Sequence, residues 1–124
     1  MSVLSFFRRS SDPPIRMIAA DALVSALKDE SLTLIDVRTH REWLETGRPE
    51  GSIGITLQDK AFETKVAHAL GGDLTKAVCF SCLHGGRSME AAQKAQKAGF
   101  TNIHSLEGGF VAWQGSGLAI ESVE

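Results

Sequence analysis

Seven consecutive residues concentrate the reactive chemistry of this chain: Cys82-Leu83-His84-Gly85-Gly86-Arg87-Ser88. The cysteine follows an apolar run, Ala77–Ser81, that reads as a buried strand, and an alanine-rich helix, Ser88–Ala98, follows the loop. Gly85 and Gly86 give the loop backbone the freedom a tight turn needs. Successive N–H groups in such a turn can point inward and form an anion-binding nest. The start of a helix adds partial positive charge, and Arg87 adds a full one. An electropositive nest of this kind favours a thiolate, and for the same reason a persulfide anion or a bound oxyanion. The predicted chemistry is therefore that of a nucleophilic sulfur at Cys82.

The elements that must hold this loop alternate along the chain. Leu23, Ala26 and Leu27 fall at helical spacing, with Asp21 near the start. Leu32–Ile35 is an apolar run too short for a helix and reads as a buried strand, leading into Asp36-Val37-Arg38. Thr39-His40-Arg41-Glu42 fits a capping box opening a helix that carries Trp43 and Leu44 and stops by Gly47. Ile53–Ile55 is a further strand candidate. Phe62, Val66, Ala69 and Leu70 line one helix face, ended by Gly71-Gly72. Gly99 stops the alanine-rich helix, Ile103–Leu106 is a last strand, and Gly108–Gly115 a short closing helix. Alternation of this kind predicts a parallel sheet covered on both faces, with sites at the carboxyl ends of its strands. Those ends fall after Ile35, Ser81 and Leu106. Structure is expected to begin at Ile15, after a flexible lead-in over residues 1–14 that ends in Pro13-Pro14; one domain spans residues 15–122.

In this order and spacing the motifs resemble the rhodanese family. They are Leu34-Ile35-Asp36-Val37-Arg38 with Glu42-Trp43, Gly51-Ser52-Ile53, the Cys82 loop, Gly99-Phe100, Leu106-Glu107-Gly108-Gly109 and Trp113. The resemblance implies an α/β fold, a three-layer sandwich with a five-stranded parallel sheet and helices on both faces. It implies a sulfurtransferase in which Cys82 takes a sulfane sulfur from thiosulfate or another persulfide donor. The sulfur would pass to cyanide, a small thiol or a protein cysteine, with Leu83, His84, Gly85, Gly86, Arg87 and Ser88 around it. A protein-fed persulfide relay or a non-catalytic interaction module needs the same loop. Related cysteine phosphatases carry their arginine one position further from the cysteine than Arg87 stands from Cys82, in a larger loop that wraps a phosphate. The chain departs from the family at Gly47-Arg48-Pro49-Glu50, where arginine replaces the usual histidine; the change bears on substrate preference more than on fold.

Other residues have plainer expectations. Cys79, inside the strand, is expected to fill space, with a Cys79–Cys82 redox pair the alternative. His84 either orients a substrate or is a solvated loop side chain. Arg38 is expected to pair with Glu42 one helical turn on, with Asp36 tying down the loop; the alternative is that both bracket the pocket. Gly108-Gly109 should allow a close backbone approach and Trp113 should anchor the core. The short loop is expected to leave Cys82 open to small or protein thiols.

Composition narrows the function class. The 124 residues suffice for one core without metal or disulfide staples. Lys plus Arg number 13 and Asp plus Glu 15, so a net charge of -2 gives no footprint for nucleic acid. No stretch has the length of apolar sequence a membrane span needs, and Met1–Phe7, followed rather than preceded by charge, lacks the order of a secretory signal. A cytoplasmic monomer or weak dimer is expected, with no cofactor. No metal is expected, since no second ligand pair has zinc spacing.

Overall fold

The structure, a computed structural model, describes residues 12–124. Most of the lead-in predicted for residues 1–14, namely residues 1–11, lies outside the described residues. In chain order the elements are β1 (Ile15–Ile18), α1 (Ala20–Lys28), β2 (Thr33–Asp36), α2 (His40–Thr46), β3 (Arg48–Pro49) and β4 (Ile53–Gly54). Then come α3 (Phe62–Ala69), β5 (Val78–Ser81), α4 (Gly86–Lys97), β6 (Ile103–Leu106), α5 (Gly109–Gly115) and β7 (Ile120–Glu121).

Five strands form one parallel sheet in the order β1-β6-β5-β2-β4, as the resemblance implied. The central strand β5 is buried along its whole length, which explains why Val78–Ser81 has no polar–apolar alternation. Consecutive side chains on the strands feed opposite layers. Ile35, Phe80 and Ile103 pack with Phe62, Val66 and Leu70 beneath α3 and with Ala91, Ala92 and Ala95 of α4. Leu34, Cys79 and Leu106 pack on the other face with Leu23 of α1 and Trp113 of α5. The three layers are thus α3 and α4, the sheet, and α1 with α5.

The alanines of α4 let that helix lie close to β5 and β6, so the loop preceding it is seated directly over the sheet. From β2 the chain moves outward to β4, and from β5 outward the other way to β6. The switch between these directions lies between β2 and β5, whose carboxyl ends lead to Val37 and Cys82. Val37 N donates to Ser81 O at 2.8 Å and fastens the two ends together.

Three strands were not read from the sequence. β1 is the edge partner of β6, and β3 pairs antiparallel with β7 in a separate two-stranded ribbon. The alanine-rich helix begins at Gly86, earlier than the Ser88 expected from propensity. The strand expected at Ile53–Ile55 spans Ile53–Gly54. The ring of Trp43 packs so tightly on Gly54 that an added Cβ would stand 2.5 Å from it.

Candidate active site

Cys82 is the first residue beyond β5, and the chain turns at once to bring its own amides over the side chain. Gly85 N donates to Cys82 Sγ at 3.0 Å. Gly85 takes φ +133°, a conformation that side-chain-bearing residues rarely adopt. α4 starts at the next residue, and its first helical hydrogen bond runs from Met89 N to Gly85 O at 3.1 Å. The first-turn amides of an α-helix have no helical partner, so positive dipole is concentrated beside the sulfur.

The loop carbonyls point the other way, toward α5. Phe110 N donates to Cys82 O at 2.8 Å and Val111 N to Leu83 O at 3.2 Å. Gly109 makes this approach possible: a Cβ there would lie 2.6 Å from both Cys82 O and Leu83 O. The close approach expected of Gly108-Gly109 is realised at this contact. With its carbonyls held by α5, the loop offers amides rather than carbonyls to the sulfur.

The residues expected around Cys82 divide into two groups. Ser88 is fully buried, with its Oγ 3.6 Å from Sγ. Gly85 and Ser88 are therefore brought to the sulfur. His84 is an exposed side chain on the loop, Leu83 is half-buried, and Gly86 is exposed at the start of α4. The side-chain hydrogen bonds of Arg87 run to Glu42 of α2 rather than to the sulfur. Its two terminal nitrogens meet the two carboxylate oxygens at 2.7 and 3.0 Å, a forked ion pair. The full charge expected to serve the sulfur is thus shared with a carboxylate.

Glu42 also serves the capping box, accepting from Thr39 N at 3.1 Å while Glu42 N donates to Thr39 Oγ1 at 3.2 Å. The Arg87 hydrogen bond, with smaller help from Thr39, lowers the Glu42 carboxyl from its ordinary 4.5 to about 2, against the opposing effect of burial. A carboxyl lowered on folding contributes stability fully above its unfolded value and loses that contribution as pH falls through the folded one. Glu42→Gln is accordingly expected to be less stable than the parent above about pH 5, with the gap closing as pH falls toward about 2. Urea unfolding of both proteins across that range measures the gap; a gap independent of pH would show that the pair adds nothing.

The expected Arg38–Glu42 pairing does not form. Arg38 and Asp36 are both fully buried and pair with each other, Arg38 Nη2 to Asp36 Oδ2 at 2.9 Å. Arg38 precedes the helix cap Thr39 and so lies outside the helical register that one-turn pairing requires. Its remaining donors reach Thr46 Oγ1 at 3.0 Å and Gly47 O at 2.9 Å, and its guanidinium stands 4.2 Å from the centroid of Phe110. The pair thereby joins the end of β2, the end of α2 and the start of α5.

The thiol itself is closed off: Cys82 is only 1% exposed. The open cysteine expected from loop length is therefore corrected. Loop length sets the size of the ring around the sulfur, but the ring folds over it: Gly85 N and Ser88 Oγ, three and six residues on, both stand against Sγ. Cys79 is also buried, in the layer opposite Cys82, and burial pushes its thiol up. It fills space, as expected, and faces away from any redox pairing with Cys82. Arg48, standing where the family carries histidine, lies over the Trp43 ring at 5.3 Å and supports α2.

Two contributors escaped the sequence reading. Glu42 was assigned to the cap and to a pairing with Arg38, and no local pattern couples it to a residue 45 positions on. Ser105, also fully buried, sits 2.9 Å from Ser88 Oγ. Its signal was present in the sequence as a hydroxyl at an inward position of an apolar strand. Among the described residues no group of His, Cys, Asp or Glu is arranged to hold a metal ion, and no helix is long and apolar enough to cross a membrane.

Known proteins resemble the chain in sequence and in fold. Thiosulfate sulfurtransferase GlpE of Shewanella oneidensis is 28% identical over 97 residues, covering 77% of this chain and 89% of that protein. Thiosulfate sulfurtransferase GlpE of Actinobacillus pleuropneumoniae is 31% identical over 97 residues, 77% of this chain and 83% of its own. A solved structure from Rhodopseudomonas palustris, of a protein of unknown function described as a possible tyrosine phosphatase, superposes with a TM-score of 0.71 at 27% identity. That superposition covers 86% of this chain and 85% of the other. The profile of the rhodanese-like domain matches residues 19–116, most of the chain, and with this fold and this cysteine loop the chain belongs to the rhodanese-like family.

Proposed function

We propose that the chain is a sulfurtransferase in which Cys82 carries a sulfane sulfur as a persulfide. The observation that carries this reading is the Gly85 amide aimed at Sγ at 3.0 Å, with the Ser88 hydroxyl on the same atom. A preset amide donor on a sulfur stabilises the anionic form in which it attacks and the anion it becomes. Likeness to thiosulfate sulfurtransferases supports thiosulfate as the donor.

In the first half-reaction the Cys82 thiolate attacks the outer sulfur of thiosulfate. A Cys82 S–S bond forms, the S–S bond of thiosulfate breaks, and sulfite leaves with the electron pair. The terminal persulfide sulfur then holds the negative charge, within reach of the loop donors. In the second half a nucleophile (cyanide, a small thiol or a protein cysteine) takes that outer sulfur, and the electron pair of the broken bond returns to Cys82 as thiolate. No oxidant is needed, because the sulfur transferred is already at the sulfane level in the donor.

A phosphatase reading is less well supported. A phosphate-wrapping loop uses its arginine on the phosphate, whereas Arg87 is engaged by Glu42. Intact-mass spectrometry after incubation with thiosulfate tests the proposal. A gain of one sulfur atom, removed by reductant and mapped to the Cys82 peptide, is expected. A free, alkylatable Cys82 with no added sulfur would exclude thiosulfate, and loading from a protein persulfide alone would assign a relay. Turnover of an aryl phosphate would overturn sulfur transfer in favour of phosphatase chemistry.

A further inference from the structure

Ser105 is a hydroxyl on an otherwise apolar face. It lies on β6 two residues after Ile103, on the side of the sheet that packs against α4, and both Ser105 and Ser88 are fully buried. A hydroxyl shut away from water is tolerated only when hydrogen-bonded. Among the described residues the Ser105 side chain has one such partner, Ser88 Oγ at 2.9 Å.

Ser88 Oγ in turn stands between three groups: Ser105 Oγ, Gly85 O at 3.0 Å and Cys82 Sγ at 3.6 Å. A serine hydroxyl has one proton to donate and two lone pairs to accept with. Ser105, with no other acceptor near, donates to Ser88. That leaves the Ser88 proton free to choose between Gly85 O and the sulfur. Gly85 O keeps a second donor in Met89 N at 3.1 Å, so it stays satisfied when the Ser88 proton leaves it.

We propose that Ser105 is a positioning residue for the reacting sulfur: by donating to Ser88 Oγ it fixes that side chain and frees its proton to turn to Cys82 Sγ when the sulfur becomes anionic. The proposal rests on the sulfurtransferase reading only for the nature of the sulfur species; the hydroxyl chain serves any anionic sulfur at this position. While Cys82 is a thiol, Ser88 donates to Gly85 O. Once Sγ bears negative charge, the same proton rotates to it, and no heavy atom needs to move.

The test compares Ser105→Ala, Ser88→Ala and the double variant. One readout is the rate at which iodoacetamide alkylates Cys82, located by peptide mass. The other is the rate of persulfide formation from thiosulfate. Ser105→Ala is expected to slow both by roughly 3- to 10-fold, the worth of one hydrogen bond to the reacting group. In the Ser88→Ala background the same substitution is expected to do nothing further, since the effect passes through Ser88. Ser105→Thr, which keeps a hydroxyl on the same carbon, should restore the rate, and unfolding midpoints report whether each variant is folded. An unchanged rate in Ser105→Ala, or the same loss in both backgrounds, overturns the proposal. Coupling seen in alkylation without loading from thiosulfate or from a protein persulfide would sink the sulfurtransferase reading and leave the role of Ser105 standing.

Discussion

Cys82→Ser is expected to take up no sulfur from thiosulfate and to lose cyanide turnover by a factor on the order of 1000 or more. The fold should barely notice. Serine replaces a buried atom with a smaller one, and its hydroxyl inherits the Gly85 amide and the Ser88 hydroxyl as partners. A buried hydroxyl with partners costs little, so stability should stay within about 1 kcal/mol of the parent. Chemistry is what changes. A hydroxyl in this nest does not ionise as a thiol does, and it has no sulfur to extend into a disulfide-like bond. Mass spectrometry, the cyanide assay and a thermal melt together separate loss of the nucleophile from loss of structure. Cys79→Ala provides the companion control. Its thiol faces the opposite layer and is pushed up by burial, so full loading is expected to persist. Sulfur carried by the Cys82→Ser protein would place the carrier elsewhere.

Arg38→Ala is expected to be the most damaging substitution to stability, by about 3–5 kcal/mol. Asp36 Oδ2 receives Arg38 Nε at 3.1 Å and Nη2 at 2.9 Å, and both residues are fully buried. Without the guanidinium a fully buried carboxylate keeps only the backbone N–H of residue 38, at 2.9 Å, and has no counter-ion, and Gly47 O loses a donor as well. Small domains have only about 5–15 kcal/mol in total, so the variant should unfold at much lower urea or fail to accumulate. Replacing both partners, Asp36→Asn with Arg38→Met, removes the charges together and should cost far less than Arg38→Ala alone. A loss under about 1 kcal/mol for Arg38→Ala would mean that the pair is dispensable. The effect should also reach the cysteine loop: the guanidinium lies over Phe110, and Phe110 N holds Cys82 O.

These two residues also mark the boundary of what could be read from sequence. Cys82 was legible because its signals are local: a strand before it, glycines after it, a helix beyond. The capping box was legible for the same reason, and both of its hydrogen bonds form. Arg38 was misassigned because sequence spacing suggested a helical neighbour, whereas Arg38 sits before the cap, in the strand-to-helix turn. The early start of α4 contradicts helix propensity, since two glycines rarely open a helix on their own. Tertiary contact overrides it: the Gly85 amide is fixed on the sulfur and helical geometry follows from there. β3 and β7 are two residues each, too short to leave a period, and exist because they pair across the chain. Glu42 and Ser105 belong to the site through distances that only folding creates.

The closed thiol has a kinetic consequence for the proposed cycle. At 1% exposure, Cys82 must be uncovered before either substrate can touch it. Donor and acceptor then share one preliminary event, a brief opening of the loop around the sulfur, governed by the protein and not by the reagent. If that event is slower than the bond exchanges, different donors will differ in the concentration they need yet converge on one maximal velocity. The same shutter lengthens the lifetime of the loaded state, because stray thiols and peroxides must wait for it too. Burial would thus convert a reactive sulfur into a stored one, released at a rhythm set by the fold.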